Sequence, residues 1–204
     1  MPIKTIIVGP IQTNCYLYYS KKTLETIIID PGEEAKKIIK EIKSLKLKPK
    51  KILLTHGHYD HHLAAKELQN HFNIPALINS NDKQIFQDSN SMLVMYGKEE
   101  RILAKPLLKL DEKYKSPIKD LEFQIMKTPG HTPGGVVIHS KKDKIAFVGD
   151  TIFAHGGVGR TDLKGGDYSK LKNSIEKILS LPNETILYPG HGPKTTVLDE
   201  KKYH

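Results

Sequence analysis

Short runs of β-branched and aromatic residues, broken by polar, glycine and proline positions, open the chain. Ile3–Val8, Tyr16–Tyr19 and Thr26–Asp30 read as strands, with Pro10 and Lys21-Lys22 as breaks between them. Asp30-Pro31-Gly32 ends the third run and leads into a helix over Glu33–Leu45, where Ile38, Ile39, Ile42 and Leu45 mark one apolar stripe. Lys51–Leu54 is a further short strand, followed by the polar loop Thr55–His62 and then by Ala64, Ala65, Leu68 and Phe72 at helical spacing. Residues 76–78 suggest another strand. Residues 81–104 are polar, partly helical and only weakly periodic, and read as an insertion; the purpose of residues 81–115 is unassigned.

The second half repeats this grammar. Strands are expected over Glu122–Lys127, Val136–His139, Lys144–Val148 and Thr185–Leu187, and a helix over Tyr168–Leu181 through Leu171, Ile175, Ile178 and Leu179; the remainder reads as a terminal loop. Two β-rich halves, each closed by helices, predict an α+β chain folded as a four-layer αββα sandwich. No Ser/Gly-rich linker divides the 204 residues, so 1–204 is read as a single domain.

Composition narrows the class. With 38% hydrophobic and 27% charged residues the chain can bury a core, which excludes disorder, collagen and coiled coil. No window approaches the ~20 apolar residues that cross a bilayer, and Met1–Pro10 is too short and interrupted for a signal peptide, so no membrane partner and a cytoplasmic location are expected. The net charge of +9 could suit nucleic acid. The densest basic run, Lys36–Lys51, however, interleaves with the apolar stripe of the first helix and lacks aromatics, so it reads as a solvated face and no nucleic-acid partner is expected. The single cysteine, Cys15, excludes an intrachain disulfide and a cysteine-based zinc site, and reads as a buried strand residue. Any metal would need nitrogen and oxygen ligands.

Histidine supplies them. Of ten histidines, five lie in loops directly after strand-like runs, each beside glycine or an acid. In an extended loop residues two apart point the same way, so His56 and His58 can share one ion, while Asp60 and His61 enter the next turn and face another. His131 in Thr128–Gly135, Asp150 in Val148–Thr151 and His191 in Tyr188–Pro193 sit at other strand ends. Five imidazoles and two carboxylates fit two divalent cations, each with three protein ligands, one shared carboxylate and an open place for water. His62 is expected beside the site or at the surface, and His71, His139 and His204 as surface or packing residues. His155 and Arg160 are substrate-contact candidates; the other reading of Arg160 is a pair with Asp162.

The order and spacing of these residues resemble the metallo-β-lactamase superfamily, whose His-x-His-x-Asp-His signature is met by His56, His58, Asp60 and His61. The resemblance runs from Thr13-Asn14-Cys15-Tyr16 through Asp30-Pro31-Gly32 to Gly190-His191-Gly192. It implies the αββα sandwich, a first metal on His56, His58 and His131, a second on Asp60, His61 and His191, and Asp150 as the bridge. Zinc is the first expectation for the two divalent ions, with iron or manganese as alternatives.

Gly149–Phe153, Gly159-Arg160-Thr161-Asp162 and Pro189–Pro193 resemble the short glyoxalase II-like (hydroxyacylglutathione hydrolase-like) branch, which implies cleavage of a small anionic thioester such as S-lactoylglutathione. Asp60 would orient the nucleophile. Full-length members carry Gly-His-Glu-Tyr where this chain has Gly190-His191-Gly192-Pro193, so one tyrosine contact to glutathione has no counterpart. The alternatives are a mononuclear iron persulfide dioxygenase, which shares the Gly-Arg-Thr-Asp segment, and an esterase or lactonase of the same fold. A β-lactamase, an RNA-processing nuclease and a metal-binding module without turnover are disfavoured. Activity is expected to fall as pH drops through the histidine range, because imidazolium cannot coordinate. The oligomeric state is left open.

Overall fold

Strands whose two faces are both apolar need cover on both sides, and the chain meets that need by stacking its sheets. The computed structural model describes residues 2–88 and 108–204. The first sheet has six strands in the order β1 (Ile3–Val8), β2 (Thr13–Tyr19), β3 (Glu25–Ile29), β4 (Lys48–Leu53), β5 (Ala76–Ile78) and β6 (Leu108–Lys109). β1 to β3 form an antiparallel meander, and β3 to β6 run parallel. Helices α1 (Ala35–Ser44) and α2 (Ala65–Phe72) make the crossovers on either side of β4.

The second sheet has the order β11 (Thr195–Thr196), β10 (Ile186–Pro189), β9 (Ile145–Gly149), β8 (Val136–Ser140) and β7 (Gln124–Lys127). β9 and β10 are parallel, joined through helix α3 (Tyr168–Leu179), and the other pairs are antiparallel. A last short helix, α4 (Val197–Glu200), closes the chain.

Alternation along each strand sorts the side chains into three apolar layers. Leu17, Ile28 and Ile52 face α1 and α2, where they meet Ile38, Ile42 and Leu68. Their neighbours Tyr16, Tyr18, Ile27, Ile29 and Leu53 face the second sheet and meet Ile138, Ile145 and Phe147. Val137, Ala146 and Val148 point to the far side and pack on Leu171, Ile175 and Ile178 of α3. Three cores between four layers are the expected αββα sandwich. Among the described residues no helix is long and apolar enough to cross a membrane.

Several boundaries differ from those expected. β2 begins at Thr13, because Thr13 and Asn14 pair with Val8 and Ile7 although both are polar. β4 begins at Lys48 and contains Pro49; the register with β3 slips between Thr26 and Ile27, so Lys50 is passed over. The supposed terminal loop holds β11 and α4, and the Thr196 hydroxyl caps α4 by accepting from the Asp199 N–H at 3.1 Å. Of the stretch 81–115, residues 89–107 lie outside the described residues; before them Ser80–Asp82 forms a 3-10 turn.

Candidate metal centre

The carboxyl ends of β3, β4, β7, β9 and β10 all deliver loops to one edge of the sandwich. A bridge between Thr13 and His191 ties the two sheets together there, and the Asn14 N–H donates to the Gly190 carbonyl at 2.7 Å. The Asn14 amide donates to the carbonyls of Pro189 and Gly192, and the Tyr16 hydroxyl to that of Pro189. His58 leads into a single 3-10 turn, Tyr59–His61, which carries Asp60 toward His191 and leaves the His61 ring beside that of His56, 4.1 Å between centroids, so the separation of His61 from His56 expected from the spacing is not found.

All seven residues expected to hold metal come together. Three overlapping groups have ligand atoms within 4.8 Å of one another: His56, His58 and His131; Asp60, His61 and His191; and His56, His61 and Asp150 between them. His58 Nδ1 lies 2.9 Å from His131 Nε2, and Asp60 Oδ2 lies 3.2 Å from Nε2 of both His61 and His191. Asp150 spans the two clusters: its Oδ2 is 3.7 Å from His131 Nε2 and 3.5 Å from His191 Nε2, and its Oδ1 is 3.4 Å from His61 Nε2. A Cβ on Gly190 would sit 2.0 Å from Asp150 Oδ1, so only glycine lets the backbone pass this close to the carboxylate.

Hydrogen bonds dictate which imidazole nitrogen is free. A carbonyl can only accept, so His131 Nδ1, 2.7 Å from the Arg160 carbonyl, and His191 Nδ1, 3.1 Å from that of Ile11, must carry the proton. Their Nε2 lone pairs then face the centre. Asp30 does the same for two more rings: its Oδ2 accepts from His61 Nδ1 at 3.1 Å and from the Thr55 hydroxyl at 2.6 Å. With its proton spent on Asp30, Thr55 Oγ1 accepts from His56 Nδ1 at 3.1 Å. Four rings therefore present Nε2 and His58 presents Nδ1, as a metal requires.

The electrostatics fit cations. Burial, with repulsion from His61, holds His56 well below the usual imidazole range, and burial together with His131 brings His58 down to about 4, so both are neutral, ligand-competent rings. Burial also opposes protonation of His61, but Asp60, Asp150 and Asp30 outweigh it and hold His61 well above its ordinary value. Burial works against a charged His191 in the same way, and hydrogen bonds to Asp150 and Asp60 overcome it and raise that ring to about 9. Burial would push Asp60 and Asp150 up; the positive charge that gathers on His61 and the bonds from His191 hold both far below the carboxylate range instead. The two acids thus draw positive charge into a site where His56 Nε2, His61 Nε2 and Asp150 Oδ1 are buried without a hydrogen-bond partner. Such groups cost free energy unless satisfied, and divalent cations would satisfy them while displacing protons.

Of the two substrate-contact candidates, only Arg160 touches the cluster. The Arg160 guanidinium makes a two-pronged pair with Asp162 at 2.7 and 2.6 Å, and it is the Arg160 carbonyl that reaches His131. His155 is exposed in a left-handed turn at φ 63°. Its N–H and that of Gly156 donate to the carboxylate of Glu200, a buried residue of α4 that no sequence pattern singles out. His62 is buried against the Phe86 ring, 4.1 Å between centroids, outside the ligand groups. His139 is buried and pairs with Gln124, His71 and His204 are exposed, and burial raises the Cys15 thiol far above its usual range, so it is no nucleophile. Asp30 is the main residue missed; its sequence signal, an acid at a strand end before Pro31-Gly32, reads by itself only as a strand stop.

Comparisons with known proteins agree with this geometry. The model of the metallo-β-lactamase superfamily matches residues 8–191. The hydroxyacylglutathione hydrolase GloC of Haemophilus influenzae is 38% identical over 213 residues, covering 99% of this chain and 96% of its own. The crystal structure of the B3 metallo-β-lactamase BLEG-1 superposes with a TM-score of 0.90 at 38% identity, over 98% of this chain and 97% of that one. TTHA1623 in a di-iron-bound form gives a TM-score of 0.88 at 33% identity, over 98% of each chain. Sandwich, ligand order and full-length similarity together place this metal-dependent hydrolase in the metallo-β-lactamase superfamily, to which the chain belongs.

Proposed function

We propose that the chain is a dinuclear metallohydrolase that cleaves a small anionic thioester, such as S-lactoylglutathione or a related acyl thioester. The reading rests on one observation above all: five imidazoles and two carboxylates converge in overlapping clusters with the tautomers that metal binding needs. His56, His58 and His131 would hold one divalent ion and Asp60, His61 and His191 the other, with Asp150 shared; zinc is the first choice, iron or manganese next. Bound there, such ions polarise a carbonyl and lower the pKa of water toward neutrality.

The chain's own groups do the rest. Asp60, whose Oδ2 accepts from the Thr13 hydroxyl at 3.2 Å, accepts a hydrogen bond from the attacking water and aims it. Its low proton affinity suits an acceptor that orients water over one that stores a proton. Water oxygen adds to the thioester carbonyl carbon, the C–S bond breaks, and acid and thiol leave. A thiolate departs with little help from a general acid, since thiols ionise near pH ~8.5. Arg160 meets the substrate carboxylate by sharing its guanidinium with Asp162, with His155 as the second substrate contact. The similarity to GloC supports the thioester class; the similarity to BLEG-1 supports lactam opening as the competing reading.

One panel decides between them. Metal-loaded protein is offered S-lactoylglutathione, other acyl thioesters, an aryl ester, a chromogenic cephalosporin and glutathione persulfide. Release of free thiol with kcat/KM highest on thioesters is expected. Preferred lactam opening, or sulfite formation with oxygen uptake, would each overturn the assignment.

A further inference from the structure

Two loops supply the ligands of the expected first ion, 55–58 from β4 and 128–135 from β7, and their ligand atoms meet at His58 Nδ1 and His131 Nε2, 2.9 Å apart. The Val136 N–H joins the two strand ends by donating to the Thr55 carbonyl at 2.9 Å, and beyond the ligand rings themselves a further side chain bonds to both loops. Asp82, at the end of the 3-10 turn after β5, is 0% exposed. Its carboxylate accepts from the Gly57 N–H at 2.9 Å, between His56 and His58, and from the Thr132 hydroxyl at 2.7 Å, next to His131. A third bond comes from the Gly134 N–H. A Cβ on Gly134 would lie 2.6 Å from the Asp82 backbone nitrogen, so the turn and the loop are in direct contact.

We infer that Asp82 is a positioning residue for the first metal: it clamps the His56–His58 loop to the His131 loop and so sets the spacing of that ion's three ligands, without touching the ion. The inference rests on the dinuclear reading above. Three donors converge on one buried carboxylate, and only an anion with acceptors on both oxygens satisfies them all. An asparagine of the same shape turns an NH₂ toward an N–H or O–H donor and breaks at least one link. The Asp30 bond to His61 lies outside this clamp, so that ligand of the second ion keeps its support.

Histidine ¹⁵N NMR during zinc titration reads each imidazole separately. In Asp82→Asn the zinc midpoint of His58 and His131 is expected to rise about 10–100-fold, as for other groups that orient metal ligands, while that of His61 and His191 moves less than about threefold. Thr132→Val, which removes one donor and keeps the volume, is expected to give a smaller shift at the same two rings and covers the case in which Asp82→Asn does not fold. A lower Tm with all four midpoints unmoved would reduce Asp82 to a structural clamp and overturn the inference. Wild-type protein that takes up no zinc would overturn the dinuclear reading and this inference with it; two-ion binding by the wild type with unmoved variant midpoints would overturn only the role of Asp82.

Discussion

Asp30→Asn tests the tautomer argument with the smallest change in shape. If the amide oxygen of the new side chain keeps the Thr55 N–H, bound by Asp30 at 2.7 Å, its NH₂ replaces the oxygen that accepts from His61 Nδ1 and Thr55 Oγ1. Two donors then face each other across 3.1 Å, and His61 escapes by moving its proton to Nε2. That proton points at Asp60 and Asp150 and occupies the lone pair meant for metal. Hydrogen bonds to charged groups contribute about 1.5–3 kcal/mol, which at ~1.4 kcal/mol per decade is about 10–100-fold in affinity. The ion held with His61 should therefore weaken by about that factor, with a smaller effect on His56, which is reached only through Thr55. Zinc titration calorimetry measures it, with circular dichroism as the check on folding. Wild-type affinity for both ions in a folded Asp30→Asn protein would refute the reasoning.

Asp150→Asn should lower metal content from two ions per chain and abolish turnover while leaving the fold, read by elemental analysis and circular dichroism; full metal content would remove Asp150 as the bridge. Gly190→Ala should displace the Asp150 carboxylate, since the new Cβ would lie 2.0 Å from it, and cost about 1–3 kcal/mol in stability along with the metal; a thermal scan and metal assay check both, and an unchanged protein contradicts the close approach. Arg160→Ala should leave Tm unchanged, because the Asp162 pair is exposed, and should raise KM for anionic substrates more than it lowers kcat. Equal KM for anionic and neutral thioesters in that variant would remove Arg160 from substrate binding.

The strand and helix grammar was legible because apolar runs and the stripes of α1 and α3 are local signals. The five clustered imidazoles were legible because each follows a strand end beside glycine or an acid, and Asp60 and Asp150 stand in the same kind of loop. What supports them was not. Asp30 acts on Thr55 and His61, 25 and 31 positions away, and Asp82 on Gly134, 52 positions away, separations that no spacing rule spans. Arg160 reaches His131 through its carbonyl, a group that every residue carries. Thr13 and Asn14 read as loop because they are polar, yet they pair in β2 and hold the His191 loop. Glu200 anchors His155 from a helix of four residues, too short to show any period.

Metal content with location is the most direct measurement of the central claim. Elemental analysis of the purified protein, paired with anomalous scattering from its crystals, should find two ions per chain, one among His56, His58 and His131 and one among Asp60, His61 and His191, with Asp150 between them. A single ion at full loading, or ions bound away from these side chains, would contradict the account.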